Sequence, residues 1–127
     1  MKLIILNGPC GVGKSTIAEM LRDALPMSFL IDVDAQRRFI GKYREEEYRQ
    51  SSANLSFLAS LGIVEACLRD GRDVIVDKFI MKDGDMIDQF VELVKKNNAH
   101  VFEIILWAEK DIVLYRADIR GYKVCGL

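Results

Sequence analysis

Eight consecutive residues, Gly8-Pro9-Cys10-Gly11-Val12-Gly13-Lys14-Ser15, carry the strongest chemical signal in the chain. They spell G-x-x-x-x-G-K-[ST], a loop that surrounds phosphate, and they stand between an apolar run (Leu3-Ile4-Ile5-Leu6) and a helical pattern, the context such a loop needs. Gly8 and Gly13 let the backbone wrap closely, so that successive N–H groups, those of Gly11 and Val12 among them, face phosphate oxygens. The helix that follows adds its free N–H groups and the positive end of its dipole. In this pattern Lys14 reaches the β- and γ-phosphates and the Ser15 hydroxyl ligates Mg²⁺. Thr16, in the same first turn, is placed to bond the α-phosphate. Cys10 reads either as a small side chain filling a loop position or as a thiol activated near a helix N-terminus.

Acidic residues close two other apolar runs. Val74-Ile75-Val76 ends in Asp77, which in this position holds Mg²⁺ with the loop serine, directly or through water; the plainer role is a cap on the next turn. Phe29-Leu30-Ile31 ends in Asp32-Val33-Asp34. A carboxylate there can take the proton of an attacking hydroxyl or orient it, while Asp34 can also serve as the N-cap of a helix opening at Ala35. Asp34 is the favoured base and Asp32 a further candidate metal ligand, and one sequence leaves open which of the two is the base. Arg37 and Arg38 follow by three and four residues, suited to an anionic group on a substrate or to a solvated helix face. Arg116 and Arg120 share a helix face at i,i+4 and could neutralise a transferring phosphoryl group, or form a solvated face with Asp111 and Asp118.

These groups need a frame that brings them together. The apolar runs alternate with amphipathic stretches. Strands are expected at residues 2–7, 29–31, 74–77 and 101–107. Helices are expected at 14–25, 35–41, 54–69, 84–97 and 109–119. Leu55, Leu58, Leu61 and Val64 are among the apolar positions of the long third helix. Met86, Ile87, Phe90, Val91 and Val94 are expected to face inward from the fourth. Continuous apolar strands separated by helices imply a parallel sheet covered on both faces. Ligands of such sheets bind beyond the C-terminal ends of the strands, where the glycine loop, Asp32, Asp34 and Asp77 would all collect.

Length and composition narrow the rest. At 127 residues, half of them hydrophobic, the chain forms one domain with a modest core. A net charge of −1 offers no footprint for nucleic acid or a membrane surface. No apolar run approaches 18 residues, so no membrane span is expected, and a strand starting at residue 2 or 3 leaves no room for a leader. Cys10, Cys67 and Cys125 are scattered without a C-x-x-C pair, as reduced thiols of a cytoplasmic protein would be. His100, the one histidine, abuts a strand.

From the loop motif, Leu25-Pro26 before an apolar strand, Asp34 opening a helix, Val74–Asp77 and the 109–120 segment, the chain resembles the small P-loop kinases of metabolites and drugs. These are the shikimate and gluconate kinase group and chloramphenicol phosphotransferase-like proteins. The likeness runs over about residues 2–121. It implies a parallel sheet of order 2-3-1-4-5 and transfer of the ATP γ-phosphoryl group to a small-molecule hydroxyl, with ATP and Mg²⁺ as cofactors. It puts Asp34 where the acceptor base lies, and Arg116 and Arg120 where arginines of a lid lie. The family continues past the lid with a helix, a fifth strand and an adenine-contacting loop. Here only Tyr122-Lys123-Val124-Cys125-Gly126-Leu127 follow Gly121. The expectation is therefore order 2-3-1-4 with the fifth strand missing, a domain incomplete at its C-terminus, weak discrimination between purines, and an exposed edge at strand 4 open to a second copy of the chain. A nucleotide-binding protein with weak or no transfer, regulatory or degenerate, is the competing reading. No N-K-x-D guanine motif occurs, and Asp77 is followed by Lys78-Phe79-Ile80, not by the G-[FY]-P-R of nucleoside monophosphate kinases.

Overall fold

The computed structural model describes residues 1–8, 13–78 and 84–107. Four strands, β1 (Lys2–Asn7), β2 (Phe29–Asp32), β3 (Val74–Asp77) and β4 (His100–Ile105), alternate with three helices, α1 (Lys14–Ala24), α2 (Arg49–Arg69) and α3 (Gly84–Lys96). Two short 3₁₀ turns, Ala35–Phe39 and Glu46–Tyr48, lie between β2 and α2. All strand pairs are parallel, in the order β2-β3-β1-β4. This is the expected 2-3-1-4 order, with β4 outermost among the described residues.

Successive side chains of a strand point to opposite faces, and β1 divides its residues accordingly. Leu3 and Ile5 join Ile31, Val33, Val74 and Val76 on one face, where Phe57, Val64 and Leu68 of α2 and Phe90 and Val94 of α3 cover them. Ile4 and Leu6 join Ile75 on the other, beneath Ala18, Ile17 and Leu21 of α1. The result is three layers. Phe57 and Phe90 meet edge to face, with ring centroids 5.5 Å apart, and tie α2 to α3.

The long helix differs from its sequence reading in extent and orientation. It begins at Arg49, five residues before the expected start, and Leu55 and Leu58 are exposed. Its buried face runs through Ser52, Ser56, Phe57, Ser60, Val64 and Leu68. Steps of four residues keep 52, 56, 60, 64 and 68 on one face, and three of those positions are serines that the apolar pattern passed over. The serines are satisfied locally. Ser56 Oγ donates to the Val33 carbonyl, and Ser60 Oγ donates to the Ser56 carbonyl at 2.8 Å. By length and composition this helix is also long and apolar enough to cross a membrane, contrary to the expectation that no such stretch exists. Here Phe57, Val64 and Leu68 are core residues.

The 35–41 helix is a 3₁₀ turn that ends at Phe39. β4 is shorter than the expected 101–107 strand at its end, and all six of its residues are exposed. The helix expected at 109–119 lies outside the described residues.

The orientation of α2 and α3 makes a stability prediction. Phe90→Ala removes a fully buried ring and is expected to cost about 3–5 kcal/mol. Leu58→Ala, at a residue 60% exposed, should change stability by less than about 0.5 kcal/mol. Urea unfolding of both variants measures this. A large loss for Leu58→Ala would mean that α2 turns its leucine face to the core.

Candidate functional site

The C-terminal ends of β1, β2 and β3 lie side by side. Leu6 is level with Asp77, and Asp32 is level with Asp77 on the other side. β1 runs out at Asn7 into the buried Gly8. Residues 9–12, including Cys10, Gly11 and Val12, lie outside the described residues. The chain reappears at Gly13 in a left-handed conformation (φ 93°), which a side chain would strain. Gly13 caps α1, and its carbonyl accepts the Ile17 N–H at 3.2 Å.

The opening turn of α1 has no capping side chain and no acidic residue. Among the described residues its first N–H groups therefore lack the usual side-chain cap, and the positive end of the helix has no acidic partner in its first turn. An anion fits there.

Lys14 and Ser15, the first residues of the helix, both turn to Asp77. Lys14 Nζ lies 3.3 Å from Asp77 Oδ1, with both side chains largely covered. The Ser15 hydroxyl donates to Asp77 Oδ2 at 3.3 Å. Asp77 is fixed by its backbone as well, since its carbonyl accepts the Val33 N–H at 3.3 Å. Burial pushes the Asp77 carboxyl above its ordinary value. The Lys14 charge opposes that rise, and the neighbouring Asp32 adds to it.

Asp32 and Asp34 have different partners. Asp32 Oδ1 accepts the Ala35 N–H at 3.1 Å, so the turn is closed by Asp32. Asp34 holds the N-cap position expected for it, but its side chain makes no capping bond. Its carboxylate instead accepts from Lys78 Nζ at 2.8 Å. Lys78, the residue after Asp77, was missed in the sequence. A lysine just past a strand looks like any solvated charge until the parallel register brings β2 and β3 together.

The two arginines also separate. Arg37 Nε donates to Ser52 Oγ at 3.2 Å, and Ser52 Oγ in turn donates to the Arg49 carbonyl at 3.0 Å. Arg38 is exposed. Thr16 is exposed on α1. Arg116 and Arg120 lie outside the described residues.

The structure thus brings together Gly8, Gly13, Lys14, Ser15 and Asp77, with Asp32, Asp34 and Lys78 on the neighbouring strand ends. Among the described residues no three His, Cys, Asp or Glu side chains gather as a metal cage. The Ser15 hydroxyl and Asp77 carboxylate are hard oxygen donors. They suit Mg²⁺, which keeps most of its waters and takes further oxygens from phosphate. A groove of about 500 Å³ between α2 and α3, lined by Leu61, Gly62, Glu65, Asp88, Gln89 and Leu93 among others, includes none of these groups.

Comparison with known proteins gives a consistent picture. Residues 3–123 match a sequence family described as an AAA domain, AAA_33. No curated protein matches the chain. Among solved structures it is similar to a candidate kinase of Chloroflexus aurantiacus (19% identity, 94% of this chain and 68% of that one, TM-score 0.75). It is similar to the tunicamycin resistance protein of Deinococcus radiodurans (23% identity, 96% and 71%, TM-score 0.66). It is also similar to a chain of the PezAT chromosomal toxin–antitoxin system of Streptococcus pneumoniae (19% identity, 94% and 52%, TM-score 0.79). At such identities the likeness is one of fold.

The raised Asp77 pKa makes a pH prediction for the nucleotide- and metal-free protein. The folded state holds this proton more tightly than the unfolded chain. The stabilisation is therefore present at low pH and is lost as pH rises from the ordinary value of 3.8 through the folded pKa. Urea unfolding across pH should show the stability difference between wild type and Asp77→Asn moving in favour of the variant as pH rises. A drift in favour of wild type would mean that the Lys14 charge outweighs burial.

Proposed function

Since the chain belongs to the AAA-domain family AAA_33, we propose that it is an ATP- and Mg²⁺-dependent phosphotransferase that moves the γ-phosphoryl group to a hydroxyl of a small molecule. One observation carries the reading: Asp77 is clasped by Lys14 and Ser15 beside the uncapped start of α1, and the next residue, Lys78, pairs with Asp34. The fold likeness to a candidate kinase is in keeping with it.

The roles follow from chemistry. Gly8, Gly11, Val12, Gly13 and Thr16 supply the phosphate cradle. Lys14, now paired with Asp77, has the charge and reach to follow the β- and γ-phosphates. Ser15 and Asp77 supply oxygens for Mg²⁺, with Asp32 close by. Mg²⁺·ATP, when bound, supplies the phosphoryl group and offsets charge on its oxygens. Asp34 faces solvent, with its side chain 64% exposed, so an acceptor hydroxyl can approach it and hand over its proton. Asp32 is engaged by the turn it closes, which favours Asp34 as the base. Arg37, steadied by Ser52, and the exposed Arg38 are available to an anionic acceptor. Arg116 and Arg120 are assigned to the transferring group on family resemblance. The free, half-buried Cys67 thiol suits a cytoplasmic location, and the outermost β4 suits pairing with a second copy.

Two substitutions test this. Lys14→Ala should weaken nucleoside triphosphate binding and lower transfer by roughly 10²-fold or more, read by calorimetry and by ATP consumption with shikimate, gluconate, chloramphenicol or tunicamycin as acceptor. Equal affinity and turnover in the variant would defeat the proposal. Asp34→Asn should lower kcat by roughly 10²–10⁴-fold and leave nucleotide affinity intact. The same loss in Asp32→Asn but not in Asp34→Asn would exchange the two roles.

A further inference from the structure

The Asp34 side chain is exposed and makes no capping bond to its own turn. A carboxylate in that state samples several rotamers, and a base that must meet a hydroxyl at hydrogen-bond distance needs a narrower range. The bond that narrows it comes from Lys78. The lysine is well held at both ends. Its backbone N–H donates to the Leu6 carbonyl at 3.3 Å, continuing the β1–β3 ladder past Asp77. Its side chain is only 18% exposed, and Nζ meets Asp34 Oδ1 at 2.8 Å.

Stability does not explain the pair. With Asp34 mostly in solvent, such an ion pair contributes little to folding. Its consequence is one of placement. Neighbouring residues of an extended chain send their side chains to opposite sides, and the two last described residues of this stretch do so with purpose-built chemistry. Asp77 turns to Lys14 and Ser15, and Lys78 turns to Asp34. One dipeptide therefore sets the distance between the phosphate end of the cleft and the acceptor end.

We propose that Lys78 is a positioning residue for phosphoryl transfer, holding the Asp34 carboxylate at the acceptor side of the cleft. The role rests on the phosphotransferase reading given above. Lys78 acts through Asp34, so its effect falls on kcat and vanishes once Asp34 can no longer take a proton.

A double-mutant cycle on the full chain tests this, with MgATP and whichever of shikimate, gluconate, chloramphenicol or water draws phosphate fastest. Lys78→Ala should lower kcat roughly 10- to 100-fold and leave the KM for MgATP unchanged. Lys78→Arg, which restores a donor, should recover most of the loss. In the Asp34→Asn background, Lys78→Ala should add less than about twofold. Lys78→Met keeps the apolar stem and gives the same measurement should the alanine variant fail to fold. A full, additive loss in the Asp34→Asn background would overturn the proposal, as would a raised KM for MgATP at unchanged kcat, which would make Lys78 a phosphate contact. Wild-type protein that consumes no ATP with any acceptor would sink the phosphotransferase reading and this role with it. Consumption that survives Lys78→Ala unchanged would sink the role alone.

Discussion

A carboxylate taken out of water must be partnered, because an uncompensated buried charge is far more unfavourable than any single contact is favourable. Asp77, at the end of β3 and 7% exposed, imposes that condition here. Its two partners, Lys14 and Ser15, are adjacent in sequence and open α1. Satisfying one buried acid thereby fixes the start of the helix against the end of a strand that lies 62 residues further along the chain. The uncapped N-terminus of α1, the left-handed Gly13 and the C-terminal end of β1 are held in the same place by that condition. These are the three side chains to which the proposed function gives phosphate and metal.

The segment that follows β2 is organised by a different kind of contact. Serines on the buried face of α2 reach the loop after β2. Ser56 bonds the Val33 carbonyl, between the two aspartates, and Ser52 bonds Arg37. A small hydroxyl lets the helix approach the backbone closely and satisfies a buried carbonyl. An aliphatic side chain of similar reach would leave that carbonyl unpaired. The price is a core with less apolar area on that side, offset by Phe57, Val64 and Leu68 on the same helix.

What could be read in the sequence was what depends on short-range pattern. β1 and β3 lie where unbroken apolar runs put them, since a strand covered on both faces has no polar alternation to obscure its ends. Asp77 was visible because it ends such a run, and the alternation of strands with helices implied a parallel sheet, while its strand order came from the resemblance to the small P-loop kinases. The orientation of α2 was not visible, because its inward stripe is half serine and its leucines face water. The difference between the partners of Asp32 and Asp34 was equally hidden. It depends on Lys78, which lies 44 residues from Asp34 in sequence and reaches it only through the β2–β3 register. Arg37 and Arg38 looked equivalent in the sequence, and only one of them meets the α2 serine.

The strand order also dictates the timing of assembly. β1 precedes the other three strands in the chain, yet it is an inner strand. Leu3 pairs with Val74 and Lys2 with His100, so both neighbours are synthesised long after it. A growing chain must therefore carry Leu3-Ile4-Ile5-Leu6, four residues that end up buried, without a sheet to receive them until β3 and β4 have been made. Contacts so distant in sequence form slowly, and apolar segments exposed in the meantime are prone to non-native association. The inner position of β1 thus makes this strand the described segment most dependent on shelter while the chain is being made.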